Sequence, residues 1–168
     1  AYSNYVNDQR SLVFYHNKFE DSSGWIKHSW DISGQSQSVA EALQLPNDEN
    51  AFVIFRDHIA NLWYIRKSRA IHEQGLFAAL GAFKYQVFVD FQIITHDESG
   101  FYQRLHDHLN GNGTYSIEEH AVDLFISALK NCASLNPVFL LDLGPARIPG
   151  FPSIKPTKPF ADKIIKTW

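Results

Sequence analysis

Apolar residues in the first hundred positions fall in short runs, each bounded by polar or glycine-containing stretches, which is the spacing of half-buried strands. Ser11 to Lys18 (SLVFYHNK) reads as one strand, and Asn17 to Gly24 supplies the turn residues that let Trp25 to Ile32 (WIKHSWDI) begin another. Alternation in that second run sets Trp25, Lys27, Ser29 and Asp31 on one face and Ile26, His28, Trp30 and Ile32 on the other; the latter is the better core candidate. Ala51 to Arg56 (AFVIFR) and Leu62 to Lys67 (LWYIRK) form a hairpin across the turn Asp57 to Asn61. Gly75 and Gly81 punctuate a short apolar stretch. The clearest alternation then places Phe83, Tyr85, Val87, Val89, Phe91 and Ile93 on one face, with Lys84, Gln86, Asp90 and Gln92 on the other.

The period changes after His96. Phe101, Leu105 and Leu109 stand at helical spacing in FYQRLHDHL, and Asn110-Gly111-Asn112-Gly113 stops that helix. A second helix is predicted from Ser116, three residues ahead of Glu119 in capping-box spacing, with Ile117, Ala121, Leu124, Phe125, Ala128 and Leu129 as its buried stripe. A short helical turn is also expected over Val39 to Leu45, closed by Pro46. Six of the seven prolines lie at or beyond Pro137, so Asn136 to Pro159 reads as extended tail or linker. The organisation expected is a β-rich domain over residues 1–96, a helical pair over 97–135 and a Pro-rich tail over 136–168.

Composition narrows the functional classes. At 168 residues, with 45% hydrophobic and 20% charged residues, the chain suits one globular domain with a core, plus an appendage. A formal charge of -3, with scattered lysines and arginines, offers no footprint for nucleic acid or anionic lipid. No apolar run approaches a membrane span, and the polar start Ala1-Tyr2-Ser3-Asn4 is not a signal peptide. The single Cys132 excludes an internal disulfide, so a cytoplasmic location is permitted. There is no methionine, even at position 1, which leads us to expect a chain cut from a larger one.

Three segments together carry a likeness: LVFYHNKFEDSSGW at Leu12 to Trp25, FVIFRDHIANLWYIRKS at Phe52 to Ser68, and GLFAALGAFKYQVFVDFQ at Gly75 to Gln92. The chain resembles, over roughly residues 1 to 110, the C-terminal region of large bacterial α-amylase-like proteins of glycoside hydrolase family 13. The resemblance implies a mainly β fold, an antiparallel β-sandwich packed behind a catalytic (β/α)8 barrel of the same chain, followed here by the short helical pair and the extended tail. It implies a non-catalytic accessory role, with the barrel as partner and α-glucan contact as a secondary role. The family's catalytic carboxylates have no counterpart: in Phe55-Arg56-Asp57 the Arg and Asp are adjacent, whereas the family's nucleophile strand separates them.

Candidate chemistry is sparse. Retaining glycoside hydrolysis needs two carboxyl groups about 5–5.5 Å apart, while the acidic pairs Glu20-Asp21 and Glu118-Glu119 suit a turn and a helix N-terminus. His106-Asp107-His108, with His96 and His120 nearby in sequence, invites a metal, but residues two apart on a helix point about 200° apart and a helical ligand pair wants i and i+4. Cys132 sits in apolar surroundings that suppress thiol reactivity. Asn110 to Thr114 lacks both the preceding strand and the Gly-Lys-Ser/Thr ending of a phosphate loop. No catalytic, metal or cofactor site is therefore expected. Sugars stack C–H faces on aromatic rings, and among Trp25, Trp30, Trp63 and Tyr64 the carbohydrate-binding candidate is Trp25, which follows a polar turn. The alternative is a free-standing ligand-binding or protein-interaction domain unrelated to carbohydrate chemistry.

Overall fold

The computed structural model describes residues 1–31, 33–95, 100–120, 122–124 and 127. Through Leu124 they form one compact unit, mainly β with a few short helices. Cys132, the helical stripe beyond Leu124 and the Pro-rich tail lie outside the described residues.

The chain opens with a hairpin that its polar residues concealed. Strand β1 (Tyr2–Val6) pairs antiparallel with β2 (Gln9–Tyr15) across Asn7 and Asp8, both at positive φ, the geometry of a two-residue hairpin turn. The predicted strand Trp25 to Ile32 is two strands. β3 (Ser22–Ile26) belongs to one sheet and β4 (His28–Trp30) to another, so the side-chain parity resets at Lys27. The core face assigned from alternation is thereby corrected. Trp30 is exposed, while Ser29 is fully buried and its Oγ donates to Ser3 Oγ at 2.8 Å; Ile32 lies outside the described residues.

β5 (Ser36–Ser38) pairs with β4 and leads into α1 (Val39–Ala42). Here a full capping box forms: Ser38 Oγ accepts the Glu41 amide at 3.2 Å, and the Glu41 carboxylate accepts the Ser38 amide at 3.3 Å. β6 (Phe52–Asp57) and β7 (Leu62–Lys67) make the predicted hairpin in continuous register from Phe52 opposite Lys67 to Asp57 opposite Leu62. α2 (Ser68–Gln74) follows, then β8 (Leu76–Leu80) between the two punctuating glycines, β9 (Tyr85–Ile94) and α3 (Phe101–Leu109).

Seven strands form one mixed sheet in the order β5-β4-β1-β2-β9-β6-β7, in which β1 and β4 run parallel and the other pairs antiparallel. β3 and β8 make a separate antiparallel ribbon. The ribbon's Leu76, Ala78 and Leu80 share one core with Leu12 and Phe14 of β2, Val53 and Phe55 of β6, Phe88 and Phe91 of β9, Val39, Ala40 and Leu43 at α1, and Ile71 of α2. Phe55 is its hub. Its ring is stacked on Phe91 at 5.3 Å and on Tyr64 at 5.7 Å and meets Phe88 edge-on at 5.3 Å.

The simple alternation predicted for β9 fails at Asp90. That residue has φ +56, and the register with β6 shifts between Ile54 and Arg56, which marks a β-bulge. Ahead of the bulge Phe88 is the buried residue and Tyr85, Val87 and Val89 face outward; beyond it Phe91 joins the core. The bulge is tied down by Arg56, which donates through Nε (2.8 Å) and a terminal nitrogen (2.6 Å) to one Asp90 carboxylate oxygen.

On the sheet's other face α3 packs against β7, and Tyr102, Leu105 and Leu109 are buried together with Phe52, Ile54, Ile65 and Ile117. Residues 117–120 are helical. Ser116 Oγ accepts the Glu119 amide at 3.1 Å, but the reciprocal half of the predicted capping box is missing: the Ser116 amide turns to Thr114 Oγ1 and its hydroxyl donates to Glu118. Thr114 also bridges Trp63 through two backbone hydrogen bonds, which shields the outer edge of β7.

Candidate functional site

Two surfaces stand out. The first is a cleft of about 210 Å³ where the ribbon strand β8 meets β6, β7 and β9. Alternation along the strands decides what lines it: Phe55, Tyr64, Gln86 and Phe88 all project from the core-side face of the sheet, while Phe77 of β8 stands at the rim. Gly111, from the turn that ends α3, closes one side.

The cleft's polar groups are unevenly satisfied. Arg66 donates to two backbone carbonyls, those of Ile65 (2.9 Å) and Gly111 (2.6 Å), and lies over the Tyr64 ring at 5.4 Å. Among the described residues no carboxylate stands within ion-pair distance of it. Burial holds its guanidinium below the ordinary value, and burial followed by the charge of Asp57 raises the Tyr64 phenol. Behind them Asp57, 1% exposed, accepts the Ile59 amide (2.9 Å) and the Ala60 amide (3.1 Å) on one oxygen and the Gln86 side-chain amide (3.2 Å) on the other. Asp57 therefore closes the β6–β7 turn and orients Gln86. Because its carboxylate oxygen needs a donor, the Gln86 NH₂ must face it, which turns Gln86 Oε1 away; that oxygen is buried with no hydrogen-bond partner.

Trp25 of β3 stands 57% exposed beside this cleft, opposite Phe77 in the ribbon register. The two rings are 5.6 Å apart with planes at 68°, so they offer two edges of a corner and no shared flat platform. Of the other aromatic candidates, Trp30 is exposed, Trp63 is half-buried beneath Arg56, and Tyr64 lines the cleft. Sequence reasoning did not select Arg66 or Gln86. The available signal for Gln86 was a polar residue two positions from Phe88 on the same strand face; that this face points into the core is visible only once the bulge at Asp90 is allowed for.

The second surface is a sheet face that the described residues leave uncovered. Trp30, Tyr2, Val13 and Val87 stand in one row across β4, β1, β2 and β9, and Tyr15 faces Tyr85 in the next. Tyr2, Tyr15, Tyr85 and Trp30 are each more than half exposed. The face is broad and aromatic, of the kind that marks a contact surface.

His106 Nδ1 lies 3.0 Å from Asp107, and His108 and His120 have ring centroids 5.4 Å apart, while His96 is outside the described residues. Among the described residues no group of three or more potential metal ligands converges, and no helix is long and apolar enough to cross a membrane. Comparison with family models, with curated proteins and with solved structures finds no match to this chain.

Proposed function

We propose that this chain is a non-catalytic accessory portion of an α-amylase-like glycoside hydrolase, a β-sandwich-like unit that seats itself against the catalytic (β/α)8 barrel of the same protein and keeps it in shape, in the cytoplasm. The observation that carries this reading is the aromatic row Trp30–Tyr2–Val13–Val87 with the Tyr15–Tyr85 pair beside it, a sheet face left uncovered by the described residues. Sheets bury both faces or leave one polar; an outer face this rich in Tyr, Trp and Val suits a permanent neighbour. The two-layer arrangement of the seven-stranded sheet and the β3–β8 ribbon around one core supports the sandwich-like description. Glucan contact at Trp25 is the secondary role, limited to single-ring stacking by the 68° corner it makes with Phe77.

The reading frame upstream of Ala1 tests this directly: continuation into a (β/α)8 barrel supports it, and a start codon immediately ahead of Ala1 refutes it. In the parent enzyme, Tyr2→Ser with Tyr15→Ser lowers the barrel's thermal stability without touching its active site. Hydrolysis of an α-glucan by the 168-residue chain alone defeats the proposal. A second reading, a free-standing ligand-binding domain, is favoured by the cleft at Arg66, and the upstream frame separates the two.

A further inference from the structure

The cleft between β8 and the sheet holds an arrangement that docking on a neighbour does not require. Its one cationic group among the described lining residues, the half-buried Arg66, has only two backbone carbonyls to satisfy it, so part of the guanidinium fork has no acceptor among the described residues. Gln86 Oε1 is a buried acceptor lacking a donor, and it is locked in that orientation by Asp57. Phe55, Phe88 and Phe77 supply apolar walls around these polar groups. Aromatic lining with a few fixed polar groups is the make-up of a small-molecule site.

From this complementarity we propose that the cleft is a binding site for a small hydroxycarboxylate that carries a C–H face, the sugar acids being the class that combines all three features. The carboxylate pairs with Arg66, whose planar fork matches it in two parallel hydrogen bonds. Gln86 Oε1 has almost no accessible surface, so a ligand hydroxyl reaches it through a shift of the Gln86 side chain towards the cleft, and that contact relieves the orphaned acceptor. The C–H face lies against the phenylalanine rings. A single negative charge fits better than a phosphate dianion, because one guanidinium is the only cation lining the cleft among the described residues and the buried Asp57 carboxylate lies behind it. Size agrees: about 210 Å³ is roughly seven waters' worth of liquid, below the 300–1,000 Å³ typical of drug-sized sites and enough for one sugar ring. The site does not depend on whether the aromatic sheet face meets a barrel.

The test is titration of the full 168-residue chain with D-glucuronate, with D-glucose and acetate as controls, followed by calorimetry and by NMR of the Tyr64 ring and the Gln86 side-chain amide. Saturable glucuronate binding is expected, at least ten-fold tighter than glucose or acetate, with both reporter groups shifting. Arg66→Gln, with fold checked by circular dichroism, is expected to lower glucuronate affinity at least ten-fold. Glucose binding as tightly as glucuronate overturns the assignment, and so does an absence of saturable binding, which would leave the cleft to water. If Arg66→Gln does not fold, the wild-type NMR titration decides alone: glucuronate that leaves the Tyr64 and Gln86 signals unmoved sinks the proposal.

Discussion

Gly75 ends α2 at φ +83 and ψ −150, a region open essentially to glycine alone, and a Cβ there would meet the Ile26 carbonyl oxygen at 2.1 Å. Neither the backbone angle nor the neighbour can yield cheaply, because the neighbour is main chain at the end of β3. Gly34 makes the useful contrast, with φ +80 but open space around it. Gly34→Ala should therefore cost about 1–2 kcal/mol, the conformational penalty alone, and Gly75→Ala clearly more, as measured by midpoint shifts in chemical denaturation. Glu41 offers a titration test. The Ser38 hydroxyl and amide hold its carboxyl below the ordinary 4.5, so Ser38→Ala should return it toward that value in side-chain carboxyl NMR. Asp31, bonded first by the Ser33 hydroxyl and then by the Gln35 amide, and Asp107, bonded by Gln103 and His106, are likewise held below 3.8. All three are depressed in the folded chain, so each favours folding above its ordinary value and loses that contribution as pH falls through the folded one. Acid destabilisation should set in below about pH 4.5 and deepen below 3.8, with Ser38→Ala flattening its upper part.

At the scale of elements, the aromatic hub predicts where the energy sits. Phe55→Ala removes the ring that joins Phe91, Tyr64 and Phe88, and a loss of about 3–5 kcal/mol is expected in equilibrium unfolding. The hairpin of β6 and β7 and the helix Phe101–Leu109 were legible in the sequence because local patterning and local contacts agree there. Other elements were hidden for identifiable reasons. β1 reads as polar because Ser3 and Asn4 interrupt it, although Ser3 is buried against Ser29. The run from Trp25 to Trp30 looks like one strand because nothing in its alternation announces that the chain changes sheets at Lys27. Asp90 conceals a bulge in the same way: a single extra residue leaves apolar letters at regular spacing while reversing which of them face inward. The candidate site suffered most from this. Trp25 was visible as an aromatic after a turn, but Gln86 and Arg66 gain meaning only when four strands and the α3 turn come together at the cleft.

For the whole molecule, the outer sheet face is where self-association is expected. Tyr15→Lys with Tyr2→Lys replaces exposed rings with charge, and such surface changes usually alter stability by less than about 0.5 kcal/mol. Sedimentation should show that this pair reduces concentration-dependent self-association of the isolated chain; unchanged association would place the sticky surface elsewhere. The order of strands has its own consequence. β9 lies between β2 and β6, yet it is the last of the described strands to be made. Until about residue 94 has left the ribosome, the opening hairpin with its β4–β5 extension and the β6–β7 hairpin are two separate edges with no centre to join them. A nascent chain that stalls before Tyr85 therefore carries two unmated borders, and its hazard is pairing with a copy of itself.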